Sequence, residues 1–351
     1  MSKVEVKVNF ETITPLWTGD AWMENSVIRP SSLMGSLRFW FEVICYFGDV
    51  CSKSEFDKDK GRFEKDIKND EIRKKLLTNG TNFNGQIQAL RELGVPVPAI
   101  VFGTTGWRSL IEIRGIQPLE DYCFGNKLNL PGKFCIKKDN FEIKEGGECP
   151  NPEDSRNQWS FFFFKIPYFW GKFEVVFKVE QNIKDNIFLP LLTFMDKYGY
   201  WGGGWNVGYG RSRVVKVDCK NNSWHKEEFD FSNVGIPDKK LKTYCNDNKI
   251  NDCIVKTGNK NELTNEKLKN IIFCDIDGNQ KIQDLIKNLI KEKSFLRRSI
   301  SDKTNKIFGS IKQPTEDLPQ GSKILPYINK LENDNYECGL LSIAGILSLY
   351  K

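Results

Sequence analysis

Trp201-Gly202-Gly203-Gly204-Trp205-Asn206-Val207-Gly208-Tyr209-Gly210-Arg211-Ser212-Arg213 is the stretch on which the reading of this 351-residue chain turns. Five glycines fall within nine residues. Upstream, Ile187, Leu191, Met195 and Tyr198 share one stripe with Phe188 and Leu192 beside them, which predicts a helix over 186–198. Gly199 is placed to end it in a left-handed turn. Downstream, the β-branched run Val214-Val215-Lys216-Val217 predicts a strand. The order is therefore helix, glycine-rich loop, strand. A dinucleotide-binding loop needs the reverse order and a G-x-G-x-x-G spacing, and a phosphate loop of the Walker type needs G-K-[ST]; neither is present. What remains is a loop whose missing side chains let a partner reach backbone N–H groups. Trp205 and Tyr209 offer faces for stacking, and Arg211 and Arg213 add positive charge. Gly202, Gly203, Gly204, Gly208 and Gly210 would supply the backbone donors. That combination suits single-stranded nucleic acid. A tight turn with its aromatics buried in a core fits the same residues equally well.

Outward from the loop, strands and helices alternate. Residues 3–10, Lys-Val-Glu-Val-Lys-Val-Asn-Phe, alternate strictly and predict a half-buried strand. Leu33, Leu37, Phe41 and Ile44 form the buried stripe of a helix over 32–47, with Ser31 or Ser32 as its cap. The N–H groups at its start, with Arg29 before them and Arg38 on another face, suit a phosphate. Arg38 is equally placed for an i,i+4 pair with Glu42, worth only about 0.3–0.5 kcal/mol. Strands are expected at 110–114, 134–136, 160–166 and 172–180. One antiparallel sheet built from two strand–helix–strand units has the ferredoxin-like βαββαβ order. Between 48 and 95 the chain turns charged, with nine basic and seven acidic side chains over 52–76, and reads as a mobile, partly helical insertion.

The second half is Asn- and Lys-rich. Ile271-Ile272-Phe273-Cys274 predicts a strand, and Ile282, Leu285, Ile286, Leu289 and Ile290 a helix with lysines opposite. The stretch 340–347 reads as a buried strand or a short core helix, with the strand favoured. From 238 to 312 there are 17 Lys and Arg against 10 Asp and Glu, and the rest of the chain is close to neutral. A basic segment points to a polyanion, and lysines on solvated faces give the same count. No apolar run is long enough to span a membrane and no leader peptide is visible, so a cytoplasmic protein is expected. The ten cysteines contain no C-x-x-C, which leaves reduced, structural thiols rather than a metal site. A single histidine, His225, excludes any site built on two or three imidazoles.

Three stretches together resemble one family. Thr14-Pro15-Leu16-Trp17-Thr18-Gly19 and Arg29-Pro30-Ser31-Ser32-Leu33-Met34-Gly35-Ser36-Leu37-Arg38-Phe39-Trp40 are similar to the opening of RAMP-superfamily proteins of CRISPR systems, most of all the first subunit of the type III-B (Cmr) effector. The 202–213 loop resembles the glycine-rich loop after the second helix of RAMP domains. Lys306-Ile307-Phe308-Gly309-Ser310, preceded by Arg297-Arg298, resembles that subunit's second domain. The resemblance implies an α+β protein of tandem ferredoxin-like (RRM-like) domains, 1–220 and 221–351, with no cofactor. It implies a non-catalytic RNA-binding subunit in antiviral defence, contacting the 3′ part of the guide (crRNA) and the 5′ part of the target RNA beside other RAMP subunits. Phosphates would be held by Arg29, Arg38, Arg211, Arg213, Arg297, Arg298 and Lys306, with Ser31, Ser32 and the loop N–H groups. Two other readings stay open: a metal-independent endoribonuclease using His225, or Tyr209 with a lysine, as base; and an assembly subunit that never touches RNA.

Overall fold

The computed structural model describes residues 2–19, 22, 24–218, 224–242, 281–299, 308, 323–331 and 335–343. The strand expected at 271–274, Lys306 and the end of the chain after 343 lie outside them. Four strands make the central sheet: β1 (Lys3–Thr12), β2 (Ile111–Pro118), β3 (Lys172–Glu180) and β4 (Ser212–Asp218). Their order is β4-β1-β3-β2, and every neighbouring pair is antiparallel. The strands expected over 3–10, 172–180 and 213–218 thus share one sheet. Helix α1 (Pro30–Phe47) follows β1, and helix α2 (Leu189–Lys197) lies between β3 and β4.

Val6, Val8 and Phe10 of β1 and Phe173, Val175, Phe177 and Val179 of β3 turn to one face and are buried. Leu33, Leu37, Phe41 and Ile44 of α1 pack there with Leu191, Leu192 and Met195 of α2 in one apolar core. Each fully buried side chain of this size contributes about 1.5–3 kcal/mol, so register and helix placement are fixed together. The opposite face carries Lys3, Glu5, Lys7, Asn9 and Glu11, with Glu5 opposite Lys178 and Glu11 opposite Lys172.

Local details differ from expectation in three places. Helix α1 starts at Pro30, with Arg29 as its N-cap and no side-chain cap, so neither Ser31 nor Ser32 caps it. Proline fits that first position because its missing N–H would have had no helical partner. The second helix is entered through a π-helical stretch, Lys184–Phe188, in which Leu189 N–H donates to Lys184 five residues back. And Gly199 is not among the left-handed glycines. It is needed for closeness instead: a Cβ there would sit 2.5 Å from Met195 Sδ.

The charged segment after α1 contains helices Asn69–Asn79 and Phe83–Glu92. Phe63, Ile67, Ile72, Ile87 and Leu90 from it belong to the main core, so it is docked on the molecule. A three-stranded sheet (Ile143–Glu145, Lys133–Lys137, Trp159–Phe163) lies beyond β2. In the second half, helix α3 (Ile282–Ser299) packs on the hairpin β5 (Ile324–Lys330) and β6 (Tyr336–Ser342). Leu285, Ile286, Leu289 and Ile290 join Ile324, Ile328 and Leu340 there, in a cluster shared with Phe134, Phe164 and Tyr209 of the first half.

Candidate nucleic-acid interface

The loop 201–213 is folded by its own neighbours. Trp201 N–H donates to Gly210 O, Gly203 N–H to Trp17 O and Gly210 N–H to Pro15 O, each at 2.8 Å. Gly202 N–H donates to Ser36 Oγ at 2.9 Å, and Arg211 N–H to Thr14 Oγ1 at 2.9 Å. The glycines are required at two points above all. Gly202 has φ +69° and a Cβ there would lie 2.3 Å from Trp17 O; Gly210 has φ +93° and a Cβ there would lie 2.2 Å from Trp201 O. Backbone donors expected to face a ligand at Gly202, Gly203 and Gly210 therefore close the loop on residues 14–17 and α1. Gly208 N–H likewise donates to Trp205 O.

The loop's aromatic and cationic side chains also turn inward. Tyr209 is fully buried, stacks on Phe164 at 6.0 Å and donates its hydroxyl to Lys165 O at 3.2 Å. Burial pushes its phenol pKa up, which removes it as a candidate base. Trp205 is half-buried and packs on Trp40, stacked at 5.9 Å, and Phe39, at 5.1 Å. Arg211 is 0% exposed. Its Nε donates to Ile328 O at 3.2 Å, its Nη2 to Asp196 O and Lys197 O at 3.1 and 2.9 Å, and its Nη1 to Gly199 O. The guanidinium also lies against the rings of Tyr200 and Tyr327. It caps the carbonyl end of α2, where a cation is favoured, and cannot reach a phosphate without leaving the core. Arg213 pairs with Glu11 at 2.5 Å on the two-sign face of the sheet.

Arg38 is used in the same inward way. It pairs with Glu42 at 2.8 Å and Glu64 at 3.2 Å and donates to Gly103 O and Phe63 O. It clamps α1 to the segment docked on it. Burial raises the Glu42 carboxyl to about 7 despite that arginine, because its cost of ionising outweighs the shared guanidinium.

Two groups of residues remain at the surface, and the loop joins them. On one side Arg29 N–H donates to Thr18 Oγ1 at 3.1 Å, which sets the start of α1, with Arg29 and Ser32 half-exposed and Pro30 and Ser31 exposed, beside the 17–18 segment that Gly203 holds. No acidic residue lies in that first turn. On the other side, Asn206 borders a cleft of about 420 Å³ lined by Ser160, Phe161, Phe162, Lys293, Ser294, Arg297 and Arg298. Arg297 and Arg298 are exposed, and Arg298 donates to Lys138 O and lies against Phe141. Lys293 is 6% exposed and donates to Asn206 Oδ1 at 2.6 Å. Burial, then the charge of Arg297, pushes its ammonium down to about 7. Of the residues singled out from the sequence, Arg297 and Arg298 lie on this cleft and Gly202–Gly204 run between it and the α1 start. Asn206, Lys293 and Ser160 complete the cleft and were not foreseen. The signal for Lys293 was its spacing, three and four residues after Ile290 and Leu289, which puts a lysine on the apolar stripe.

Among the described residues no helix is long and apolar enough to cross a membrane, and no cluster of His, Cys, Asp or Glu is arranged to hold a metal. Six cysteines among the described residues are buried free thiols. His225 is exposed and stacks on Trp224 at 3.7 Å.

No curated protein matches the chain. Among solved structures, it is similar to Cmr1 from Pyrococcus furiosus in its apo form, with 14% identity, a TM-score of 0.40, and 97% of this chain and 88% of that one covered. It is also similar to a chain of the type III-B Cmr-beta complex bound to cognate target RNA and AMPPnP in the presence of ssDNA, with 12% identity, a TM-score of 0.39, and 99% and 98% covered. The family profile that matches is the RAMP superfamily, over residues 9–215. That span contains the end of β1, all of β2 and β3, the first half of β4, both helices on the sheet and the glycine-rich loop, and on it the chain belongs to the RAMP superfamily.

Proposed function

We propose that this chain is a non-catalytic RNA-binding subunit of a type III-B CRISPR effector. In this reading it contacts the 3′ part of the guide and the 5′ part of the target RNA and packs against other RAMP subunits in the cytoplasm. Family membership and the quoted opening motif support the class. The observation that carries RNA contact is the cleft: three cationic side chains and no carboxylate among its described lining residues, beside the glycine-rich loop. A path for a backbone runs from Arg29, Ser31 and Ser32 across Gly203 and Gly204 to Asn206 and the cleft. The sheet face with Glu5, Lys7 and Glu11 is a poor alternative, since interleaved charges of both signs attract a polyanion weakly. In the same proposal α3, β5 and β6 belong to a second ferredoxin-like domain that includes Lys306, and 48–95 is the charged insertion in the first.

The endoribonuclease reading loses Tyr209 to burial, leaving exposed His225 as its base. The test is anisotropy of a fluorescent oligoribonucleotide with the purified chain at several salt concentrations. Arg297→Ala and Arg298→Ala should each weaken binding alike across sequences and lower the slope of log K against log salt by about 0.7 for each phosphate no longer held. Wild-type affinity and slope in both variants would remove the cleft from the RNA site. Cleavage products that vanish in His225→Ala would replace this reading with the nuclease.

A further inference from the structure

The cleft beside Asn206 holds a lysine in an unusual setting. Lys293 stands on the buried stripe of α3, with Leu289 and Ile290 before it and Leu296 after it. Its Nζ meets the amide oxygen of Asn206 at 2.6 Å, at the inner end of a cavity large enough for one nucleotide unit. Arg297 and Arg298 stand one turn further along the helix at the open side. A neutral amide oxygen in contact with a buried ammonium, under two guanidinium groups, occupies the position an anionic oxygen would fill more favourably, since hydrogen bonds between ionised partners are roughly twice as strong.

Resting on the RNA-binding reading above, we infer that the cleft is a phosphate socket: a backbone phosphate of single-stranded RNA displaces the Asn206 carbonyl from Lys293 and is held by Lys293, Arg297 and Arg298. A consequence follows for protons. In the free protein burial and Arg297 hold the Lys293 ammonium down to about 7. A phosphate beside it restores the ammonium, so above neutral pH the RNA and one proton bind together. Among the described residues that line the cleft there is no competing acid. On α3 the facing charges are Arg297 and Arg298; Glu292 is about 100° round the helix from Lys293. The strand 159–163 contributes Ser160, Phe161 and Phe162, and the loop contributes Asn206. On the hairpin packed against α3, Lys330 reaches Glu11 and Glu337 lies beside Tyr327 and Cys338. Asp284 and Glu145 pair with Lys287, further back along α3.

The experiment titrates the whole chain with a fluorescent ten-nucleotide oligoadenylate at fixed ionic strength between pH 7 and pH 9, a window above the ordinary histidine range. Wild-type affinity should fall with pH by up to about tenfold per unit. Lys293→Arg, which stays charged throughout, should bind RNA with a flat pH profile. Asn206→Asp places an internal carboxylate on Lys293 and should lower affinity and flatten the profile as well. Thermal melts at each pH confirm that every variant is folded. Tight binding with a flat wild-type profile, or a slope unchanged in Lys293→Arg, overturns the socket while leaving RNA binding intact. Absence of RNA binding at every pH overturns both.

Discussion

Two arginine pairs of this chain look alike in sequence and meet opposite fates. Arg211 and Arg213 close a glycine- and aromatic-rich loop; Arg297 and Arg298 end an amphipathic helix. The first pair has the stronger nucleic-acid signature and the weaker claim. Arg211 is committed to four carbonyl groups and two tyrosine rings inside the protein, and Arg213 to Glu11. The second pair sits at a cleft whose described lining has no carboxylate. The lesson is that a guanidinium answers to whatever acceptors lie nearest. At the end of α2 those are uncapped carbonyls of the same chain; at the end of α3 the described cleft lining holds no carboxylate.

The contrast can be broken by mutation, and the largest effect belongs to Arg211. Arg211→Met should cost at least about 3 kcal/mol, since it strands buried carbonyls that each lose a charged donor. RNA affinity per folded molecule should stay unchanged, which urea unfolding and anisotropy on the same samples will read. A loss of affinity without a loss of stability would reverse the assignment of the two pairs.

Arg38 offers an intermediate case through its partner Glu42. Because burial raises the Glu42 carboxyl from its ordinary value to about 7, the folded state binds the extra proton in between. Stability from this group is present below the unfolded value near 4.5 and falls as pH rises to about 7. Glu42→Gln should therefore be nearly neutral at pH 5 and more stable than wild type at pH 8, by about 1–3 kcal/mol. Denaturant midpoints at the two pH values check the sign. A variant less stable than wild type at pH 8 would mean that the Arg38 pair outweighs burial.

Arg213→Ala should do least. Its pair with Glu11 is partly exposed, and such pairs contribute about 0.2–1 kcal/mol. Neither melting temperature nor RNA affinity should move much, so a marked fall in affinity would bring the sheet face back into the binding site.

The central sheet was legible because period-two alternation at 3–10 and 172–180 admits one register with a buried face, and a one-residue slip would expose Val6, Val8 and Phe10. The helix, loop, strand order around 201–213 was legible from the same kind of periodicity. The loop's role was not, because glycines that open a backbone to a ligand and glycines that let two backbones touch are written alike. Only the proximity of Trp17 O to Gly202 separates them. The cleft was half legible: Arg297 and Arg298 stood out as charges, but the Asn206–Lys293 hydrogen bond joins residues 87 apart and leaves no local pattern. The Ser31 or Ser32 cap failed because Pro30, already set for the first helical position, moved the helix start ahead of both serines.

The setting of Arg211 has a consequence for how the molecule comes apart. Its guanidinium reaches Ile328 O on β5 while holding the end of α2, and Tyr200 and Tyr327 tie the same two elements through Pro326 O and Lys197 O. Peeling the β5–β6 hairpin away would leave a charge and several carbonyls in a dry interior, a penalty that only disruption of the first core relieves. The hairpin and the central sheet are thereby thermodynamically coupled, and heat should melt them in a single cooperative transition rather than as two independent units.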